Sequence, residues 1–332
     1  MNILTHVLAT LALLRAGWPR APKELWVATV TAGVIADVDL ASAWFGASAW
    51  WRWHRGFTHS LLFALILAAA FAVAYRLVAT DAYRENLSAT TAFVMAFAAA
   101  LLHLLIDVCG WQGAALLWPF SPKRFALEWV ANLDLPVIAV LLGALLLPEL
   151  LHLVTSEIGA RETRPRGRIG ARVGFMLIAL YLCLRGDFHS NVVALMDSRT
   201  FRGEAAQRVG AFPEPLSPLP WHGIVETTRA LHTLTVIAGP VGSFDPETAD
   251  TLYKPEPSPA LNAAEQSAAA RDFLRTARFP RASVETTAAG TEVMIRDLRY
   301  EAAGQTSHEV VTVIRVNTEN RVVSQALVWL VR

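Results

Sequence analysis

Residues 50–74 read WWRWHRGFTHSLLFALILAAAFAVA, and this stretch decides what kind of protein the chain forms. Three tryptophans, two histidines and two arginines stand directly before a run of apolar side chains. The apolar run extends from Phe57 to Ala79, and about 20 mostly apolar residues are enough for a helix to cross a bilayer. The stretch therefore predicts a membrane helix with a dense group of polar side chains at its entrance.

Apolar runs of similar length recur through the first part of the chain. Of the 332 residues, 54% are hydrophobic and 17% are charged, and the mean hydropathy is +0.38. The net charge of +1 gives no support to a nucleic-acid partner. We predict an all-α polytopic membrane domain of five or six transmembrane helices over residues 1–186. Besides Phe57–Ala79, the runs are Leu25–Phe45, Ala89–Cys109, Leu133–Val154, Gly170–Leu184 and the shorter Ile3–Leu14.

The last part of the chain has the composition of a soluble domain. The proline-rich passage 187–222 predicts a linker. Beyond it, residues 262–279 predict an amphipathic helix. Runs rich in β-branched residues predict the strands of an antiparallel sheet, so we expect a small α+β domain over residues 223–332. These runs begin at residues 231, 291, 309 and 321.

Positive charges in the connections predict the orientation. If all six apolar runs cross the membrane, ten lysines and arginines fall on one side and four on the other. Lys and Arg are more frequent in cytoplasmic connections, so the side with four faces outward. We therefore predict that the polar stretch before Phe57 and the C-terminal domain both lie outside the cytoplasm.

Acidic and imidazole side chains collect at the outward ends of four successive runs. Ionisable residues next to apolar spans are costly and usually functional. His103 and Asp107 are four residues apart, so they lie on one face of a helix. Imidazole and carboxylate together suit zinc, manganese or iron(II), which predicts a divalent metal site. The residues in this pattern are Asp37, Asp39, His54, His59, His103, Asp107 and Asp134.

Two local features leave alternatives open. Asp37 and Asp39 would point apart on a regular helix, so either the helix ends there or one of them serves elsewhere. A turn at Gly56 would bring the histidines on either side of it toward a common centre. Arg55 lies between those histidines and is expected to hold an anionic substrate group, with lipid phosphate as the alternative ligand.

Several motifs together resemble a known family. HRGFTHS, and HLLIDVCGWQGAALLWPFSPKRFALEW followed by NLD, with TH near the N-terminus and DVD, resemble the YdjM-type family of membrane-bound metal-dependent hydrolases. The resemblance covers about residues 1–150 and implies a bacterial cytoplasmic-membrane protein with a His/Asp metal site. Asp39 and Arg55 are assigned catalytic roles. The resemblance implies metal ligands among His6, Asp37, Asp39, His54, His59, His103 and Asp107, with Asp134 at a commonly acidic position.

The order of these residues is also similar to the zinc-dependent phospholipase C and single-strand nuclease group. The chain lacks the second His…HxxxE set of that group, so one or two ions are expected rather than three. HLLID resembles the last motif of acid-phosphatase-like lipid phosphatases. Ala96 and Phe97 stand where the Ser-Arg pair of those enzymes would be, so their phosphate cradle is absent.

The expected function is hydrolysis of an amphiphilic or lipid phosphoester by a metal-activated water, with zinc as the first choice of ion. Membrane lipids are the expected surroundings, and Arg124 is a second candidate for binding an anionic head group. A metal-ion or proton transporter is an alternative, since intramembrane His and Asp also mark ion pathways. A non-catalytic scaffold stapled by the metal is the other alternative.

Overall fold

The structure is a computed structural model that describes residues 2–78, 88–157, 167–239, 242–288, 290–302 and 309–330. The chain forms two compact units. The first contains residues 1–38 and 55–185, and the second contains residues 39–54 and 186–332.

Helices make up the first unit, and most match the predicted apolar runs. Five helices of the described residues are long and apolar enough to cross a membrane, and they confirm the predicted polytopic α-helical domain. The helices up to residue 197 are α1 (Ile3–Gly17), α2 (Lys23–Val34), α3 (Ala47–Trp53), α4 (Leu61–Val78), α5 (Ala89–Cys109), α6 (Leu135–Glu157) and α7 (Arg168–Asp197). The candidate spans are Lys23–Phe45, Leu61–Val78, Ala89–Cys109, Leu135–Leu153 and Arg168–Asp197.

Helix α5 packs against α1, α2 and α4. Small buried residues repeat along it at Ala92, Ala96 and Ala99, and small side chains let helices approach closely where lipid removes the hydrophobic driving force. Helix α1 also packs against α2 and α6, with Leu8 and Leu141 in their shared apolar cluster. This packing holds the N-terminal end of α1 inside the bundle, although the helix is only 15 residues long.

The end of α2 explains why the two neighbouring acids separate. After Val34 the chain tightens into a 3₁₀ helix, Ile35–Phe45, which contains Asp37 and Asp39. A 3₁₀ helix has about three residues per turn, so residues two apart point in different directions. The two carboxylates consequently enter different environments.

Two antiparallel sheets, where one was expected, form most of the second unit, and with its helices they confirm the predicted α+β domain. The sheets have the strand orders β3-β4-β5-β6 and β10-β9-β8-β7, and β1 pairs with β2 alone. The strands are β1 (Thr200–Phe201), β2 (Glu204–Ala205), β3 (Arg208–Pro213), β4 (Pro220–Glu226), β5 (Ala230–Ile237), β6 (Asp250–Tyr253), β7 (Pro280–Thr287), β8 (Gly290–Asp297), β9 (Glu309–Val316) and β10 (Val322–Leu330). The helices of this region are α8 (Pro259–Glu265), α9 (Ala268–Leu274) and α10 (Arg299–Ala302).

Two local predictions in this region differ from the structure. The passage 187–222, predicted to be a linker, contains the end of α7, strands β1 to β3 and the start of β4. Its Phe201 and Phe212 are fully buried, so it belongs to the folded domain. The single helix predicted over residues 262–279 is two helices, because the Ser267 hydroxyl accepts a hydrogen bond from the Ala270 amide and starts a new helix.

Candidate metal centre

Five ionisable side chains meet in the interior of the first unit. His6 comes from α1, Asp37 from the 3₁₀ helix after α2, His59 from the turn before α4, and His103 and Asp107 from α5. All five are buried. Ligand atoms of His6, Asp37, His103 and Asp107 lie within 4.8 Å of one another. Four stretches of sequence therefore bring their polar groups to one point, and this group can hold a metal ion.

The distances in this cluster match ligands around a shared ion. Nε2 of His59 lies 3.2 Å from Nε2 of His103 and 3.1 Å from Oδ2 of Asp107. Nε2 of His103 is 3.3 Å from the same oxygen, and Nε2 of His6 is 3.4 Å from Oδ1 of Asp107. Oδ1 of Asp37 lies 3.7 Å from Nε2 of His59 and 3.8 Å from Nε2 of His103. Two donors bound tetrahedrally to zinc at about 2.0–2.1 Å lie about 3.3 Å apart.

The orientation of His103 is set by a backbone carbonyl. Nδ1 of His103 lies 2.9 Å from the carbonyl oxygen of Gly33, and a carbonyl only accepts, so Nδ1 is the protonated nitrogen. Nε2 then carries the lone pair that faces the cluster. Metal-bound histidines in proteins commonly use their second nitrogen in this way.

There is no room for a side chain at the position of Gly33, so a glycine there allows α1 and α2 to approach closely. A Cβ atom at Gly33 would lie 2.3 Å from Oγ1 of Thr10. The Thr10 hydroxyl in turn donates a hydrogen bond of 2.8 Å to the carbonyl oxygen of His6. Close contact between α1 and α2 thus places His6 and His103 side by side, with their rings stacked 3.8 Å apart.

Two buried atoms of the cluster support a fit to a metal ion. Nδ1 of His6 and Oδ2 of Asp37 are buried and have no hydrogen-bond partner among the described residues. An unpaired buried polar atom costs about 1–3 kcal/mol, and proteins rarely leave one without a function. Imidazole nitrogen and carboxylate oxygen are also the donors that zinc, manganese and iron(II) accept.

Arg55 neutralises one carboxylate of the cluster. Its side chain is 3% exposed, and Nη2 lies 3.0 Å from Oδ1 of Asp107. Nη1 donates a 3.1 Å hydrogen bond to the carbonyl oxygen of Gly113. The residue adopts a left-handed backbone conformation with φ of 58°, which is uncommon for arginine. The guanidinium can therefore position the Asp107 carboxylate, and the expected role of Arg55 in holding a substrate anion stays a prediction.

Two predicted ligands pair with each other in the second unit. Nδ1 of His54 lies 2.9 Å from Oδ1 of Asp39, and both side chains are buried. The ring of Trp50 stacks on His54 at 4.7 Å. Asp39 and His54 are not in the group of ligand atoms within 4.8 Å of one another, and their roles as metal ligands, with the catalytic role of Asp39, stay predictions.

Asp134 caps the start of α6. Its Oδ1 accepts a hydrogen bond of 3.2 Å from the amide of Val137. The Tyr181 hydroxyl donates to the same carboxylate at 3.1 Å. Asp134 is thus a helix cap that joins α6 to α7, and its role as a metal ligand stays a prediction.

Sequence reasoning missed the residues that orient the cluster. Gly33, Thr10 and Gly113 act through backbone carbonyls and close contacts. Gly113 has φ of +66°, and a Cβ atom there would lie 2.3 Å from the carbonyl oxygen of Phe125. A glycine inside an apolar helix carries no chemical signal, and only the position of Gly113 between polar motifs could have indicated a role.

Comparison with known proteins agrees with this architecture. Residues 1–191 match the YdjM inner membrane protein family. The chain belongs to this family. The resemblance found from its motifs is thereby confirmed, and the five apolar helices make it a multi-pass inner membrane protein. Residues 259–332 match the YfhP C-terminal alpha/beta plait domain.

Two relatives match different extents of the chain. The inner membrane protein YbcI of Escherichia coli (strain K12) is 30% identical over 132 residues, which cover 39% of this chain and 73% of YbcI. The uncharacterized protein YfhP of Bacillus subtilis (strain 168) is 23% identical over 336 residues, which cover 99% of this chain and 93% of YfhP. No solved structure matches the chain.

Proposed function

We propose that this protein is a metal-dependent hydrolase whose catalytic ion, zinc in the first instance, is held by His6, Asp37, His59, His103 and Asp107. The observation that carries the proposal is the convergence of these buried donors at separations of 3.1–3.8 Å. Such a group of imidazoles and carboxylates is costly at membrane depth unless it serves a function.

The residues of the cluster have different roles in the proposed reaction. A bound ion supplies Lewis acidity and lowers the pKa of its water toward about 7. His103 is fixed by the Gly33 carbonyl and presents a neutral Nε2. Arg55 holds Asp107 in one orientation through a direct ion pair. Oδ1 of Asp37, which lies 3.7 Å from Nε2 of His59, would hold the ion, and Oδ2 would then accept the proton of the attacking water.

The proposed substrate is an amphiphilic or lipid phosphoester. A multi-pass protein with a polar cluster among its membrane helices meets lipid substrates more readily than soluble ones. Since Arg55 binds Asp107, the anionic head group is assigned to Lys123 and Arg124, which lie in the connection between α5 and α6. Lysine and arginine both bind phosphate well.

A second candidate is a structural metal that staples the helices. The observation that favours it is burial, because His59 and Asp107 have no exposed side-chain surface, and a catalytic zinc needs an open coordination position. A structural ion would raise stability with no turnover.

The proposed orientation places the C-terminal domain outside the cytoplasm, as the ten to four distribution of positive charges indicates. An alkaline phosphatase reporter fused after Arg332 is expected to be active. Activity of a cytosolic reporter at the same position would contradict this orientation and would place the domain in the cytoplasm.

Elemental analysis of the purified protein, beside a phosphodiesterase and phospholipase screen, tests the proposal. We expect stoichiometric zinc, manganese or iron, and hydrolysis that His103→Ala abolishes. The control is His222→Ala, since His222 lies in β4 and is half exposed. Bound metal that raises the melting temperature without any turnover would favour the structural candidate, and a metal-free protein would refute both.

A further inference from the structure

The segment 39–54 is attached to the C-terminal domain although it lies between two membrane helices in the sequence. It begins inside the 3₁₀ helix Ile35–Phe45, contains α3 and is followed by the turn before α4. Its contacts nevertheless place it in the second unit, with residues 186–332. The segment therefore connects the soluble domain covalently to the part of the chain that carries the metal cluster.

Aromatic side chains make this attachment. The ring of Trp51 stacks on Phe273 at 4.5 Å with an interplanar angle of 16°. Its indole Nε1 donates a 3.3 Å hydrogen bond to the carbonyl oxygen of Asp272. Beside it, Trp50 contacts Trp329 in β10 at 5.2 Å. Trp51 is buried, so these contacts exclude water.

An ion pair adds to the aromatic contacts. Nη2 of Arg52 lies 2.8 Å from Oδ2 of Asp272. Both side chains are substantially exposed, so the ion pair orients the segment but adds little to its stability. All the partners on the domain side, from Asp272 to Trp329, belong to the part that matches the plait domain.

Both ends of the segment lead directly into the cluster. Asp37 is two residues before it, and Arg55 is the residue immediately after it. Arg55 has a left-handed backbone and pairs with Asp107. A non-glycine residue keeps such a conformation only where its surroundings hold it, and here the preceding residue, His54, is itself held by Asp39 and Trp50.

We propose that Trp51 is a positioning residue through which the C-terminal plait domain sets the geometry of the metal cluster. The domain holds the segment 39–54 at Trp51, the segment fixes the backbone at Asp37 and Arg55, and these two side chains hold the ligand geometry. This inference rests on the proposed metal site and adds a regulatory input to it: whatever displaces the segment from the domain weakens metal binding.

The test uses the full-length protein in lipid nanodiscs and three variants of the same segment. Trp51→Ala removes the stacked ring, and Trp51→Phe keeps an aromatic ring on Phe273. The matched control is Trp44→Ala, because Trp44 lies in the same segment and is 88% exposed. Hydrogen–deuterium exchange over residues 47–54 reports attachment, and competition with a zinc chelator reports the affinity for zinc.

In Trp51→Ala we expect fast exchange over residues 47–54 and zinc binding weakened by about tenfold or more, the range for loss of a supporting residue. Trp51→Phe is expected to restore both values, and Trp44→Ala to match the parent. Detachment of the segment with parental zinc affinity would overturn the proposal, and so would unchanged exchange in Trp51→Ala. A parent protein without zinc affinity would refute the metal site instead, while the exchange data would still decide whether Trp51 holds the segment.

Discussion

Buried acids are treated differently in the two units of this molecule. In the second unit, Asp297 and Glu309 are fully buried. Asp297 pairs with Arg299 at 2.8 Å and accepts a hydrogen bond from the amide of Arg278, and Glu309 pairs with Arg296 at 3.2 Å. Each of these two carboxylates contacts a guanidinium, and that of Arg296 is shared with Glu301.

The cluster of the first unit is not balanced in this way. Asp37 and Asp107 share the site with three imidazoles. Among the described residues, the guanidinium that contacts these carboxylates is that of Arg55, which pairs with Asp107. A buried charge is tolerated when it is paired or binds a metal. The buried acids of the second unit named above are thus paired with cations of the chain itself, whereas the cluster of the first unit is a group that could hold a metal ion.

The largest effect on the cluster is expected when two of its imidazoles are removed. The double substitution His59→Ala, His103→Ala should weaken zinc binding on the order of 100-fold or more, because each ring supplies a donor atom. Chelator competition and elemental analysis measure the loss. The control is His222→Ala in the other unit, which should bind as the parent does, and full metal retention in the double variant would end the metal hypothesis.

Removal of a single guanidinium should change the stability of the two units in different ways when zinc is added. Arg55→Ala leaves Asp107 buried without its cation, which should cost about 3–5 kcal/mol of stability in metal-free protein. Zinc should recover much of this loss. Arg299→Ala should destabilise the second unit equally with and without zinc, and Arg52→Ala, at an exposed pair, should cost about 0–1 kcal/mol. Thermal unfolding with zinc or with chelator makes the comparison, and zinc-independent loss in Arg55→Ala would contradict it.

A smaller effect should follow from a single methyl group between α1 and α2. Gly33→Ala places a Cβ atom against Thr10, and overpacking of this kind costs about 1–3 kcal/mol. Zinc affinity should fall with it, because the Gly33 carbonyl orients His103. The double variant Gly33→Ala, Thr10→Ala should recover both values.

The control for this substitution is Gly17→Ala, since a Cβ atom at Gly17 meets nothing within 4 Å. If Gly33→Ala and Gly17→Ala lose the same stability and the same affinity, close packing of α1 on α2 does not set the site.

The smallest expected effect is a pH dependence in the second unit. Burial lowers the pKa of His232. The unfolded chain then binds the proton more tightly than the folded one, so the stability from neutral His232 is present above about pH 6.5 and is lost as the pH falls below it. His232→Asn should flatten the change in melting temperature of this unit between pH 7.5 and pH 5.5, followed by tryptophan fluorescence. An unchanged slope would show that His232 does not titrate across folding.

The sequence predicted the membrane helices and the centre of the site because both depend on local patterns. Apolar length indicates a span, and the spacing of His103 and Asp107 places them on one helix face. Their meeting with His59 could be anticipated from the alternation of the spans. His6 could be included only through the family resemblance, since its helix is too short for a regular span.

The contacts that the sequence did not indicate depend on distant partners. Asp39 and His54 pair with each other in a segment whose Trp51 packs on Phe273, more than 200 residues away in the sequence. Asp134 accepts a hydrogen bond from the amide of Val137, and a capping acid and a metal-binding acid are indistinguishable in the sequence. The predicted linker was wrong because β1 and β2 have only two residues each, too few to give an alternating pattern, and because prolines stand at the end of β3 and the start of β4.

The wide spread of the cluster along the chain has a consequence for biosynthesis. His6 and Asp107 are separated by 101 residues. At about 5–20 residues per second, a ribosome needs roughly 5–20 s to make that stretch. During this interval His6 has been made and Asp107 has not. A metal ion that needs all the ligands of the cluster could therefore bind only once α5 has joined the bundle.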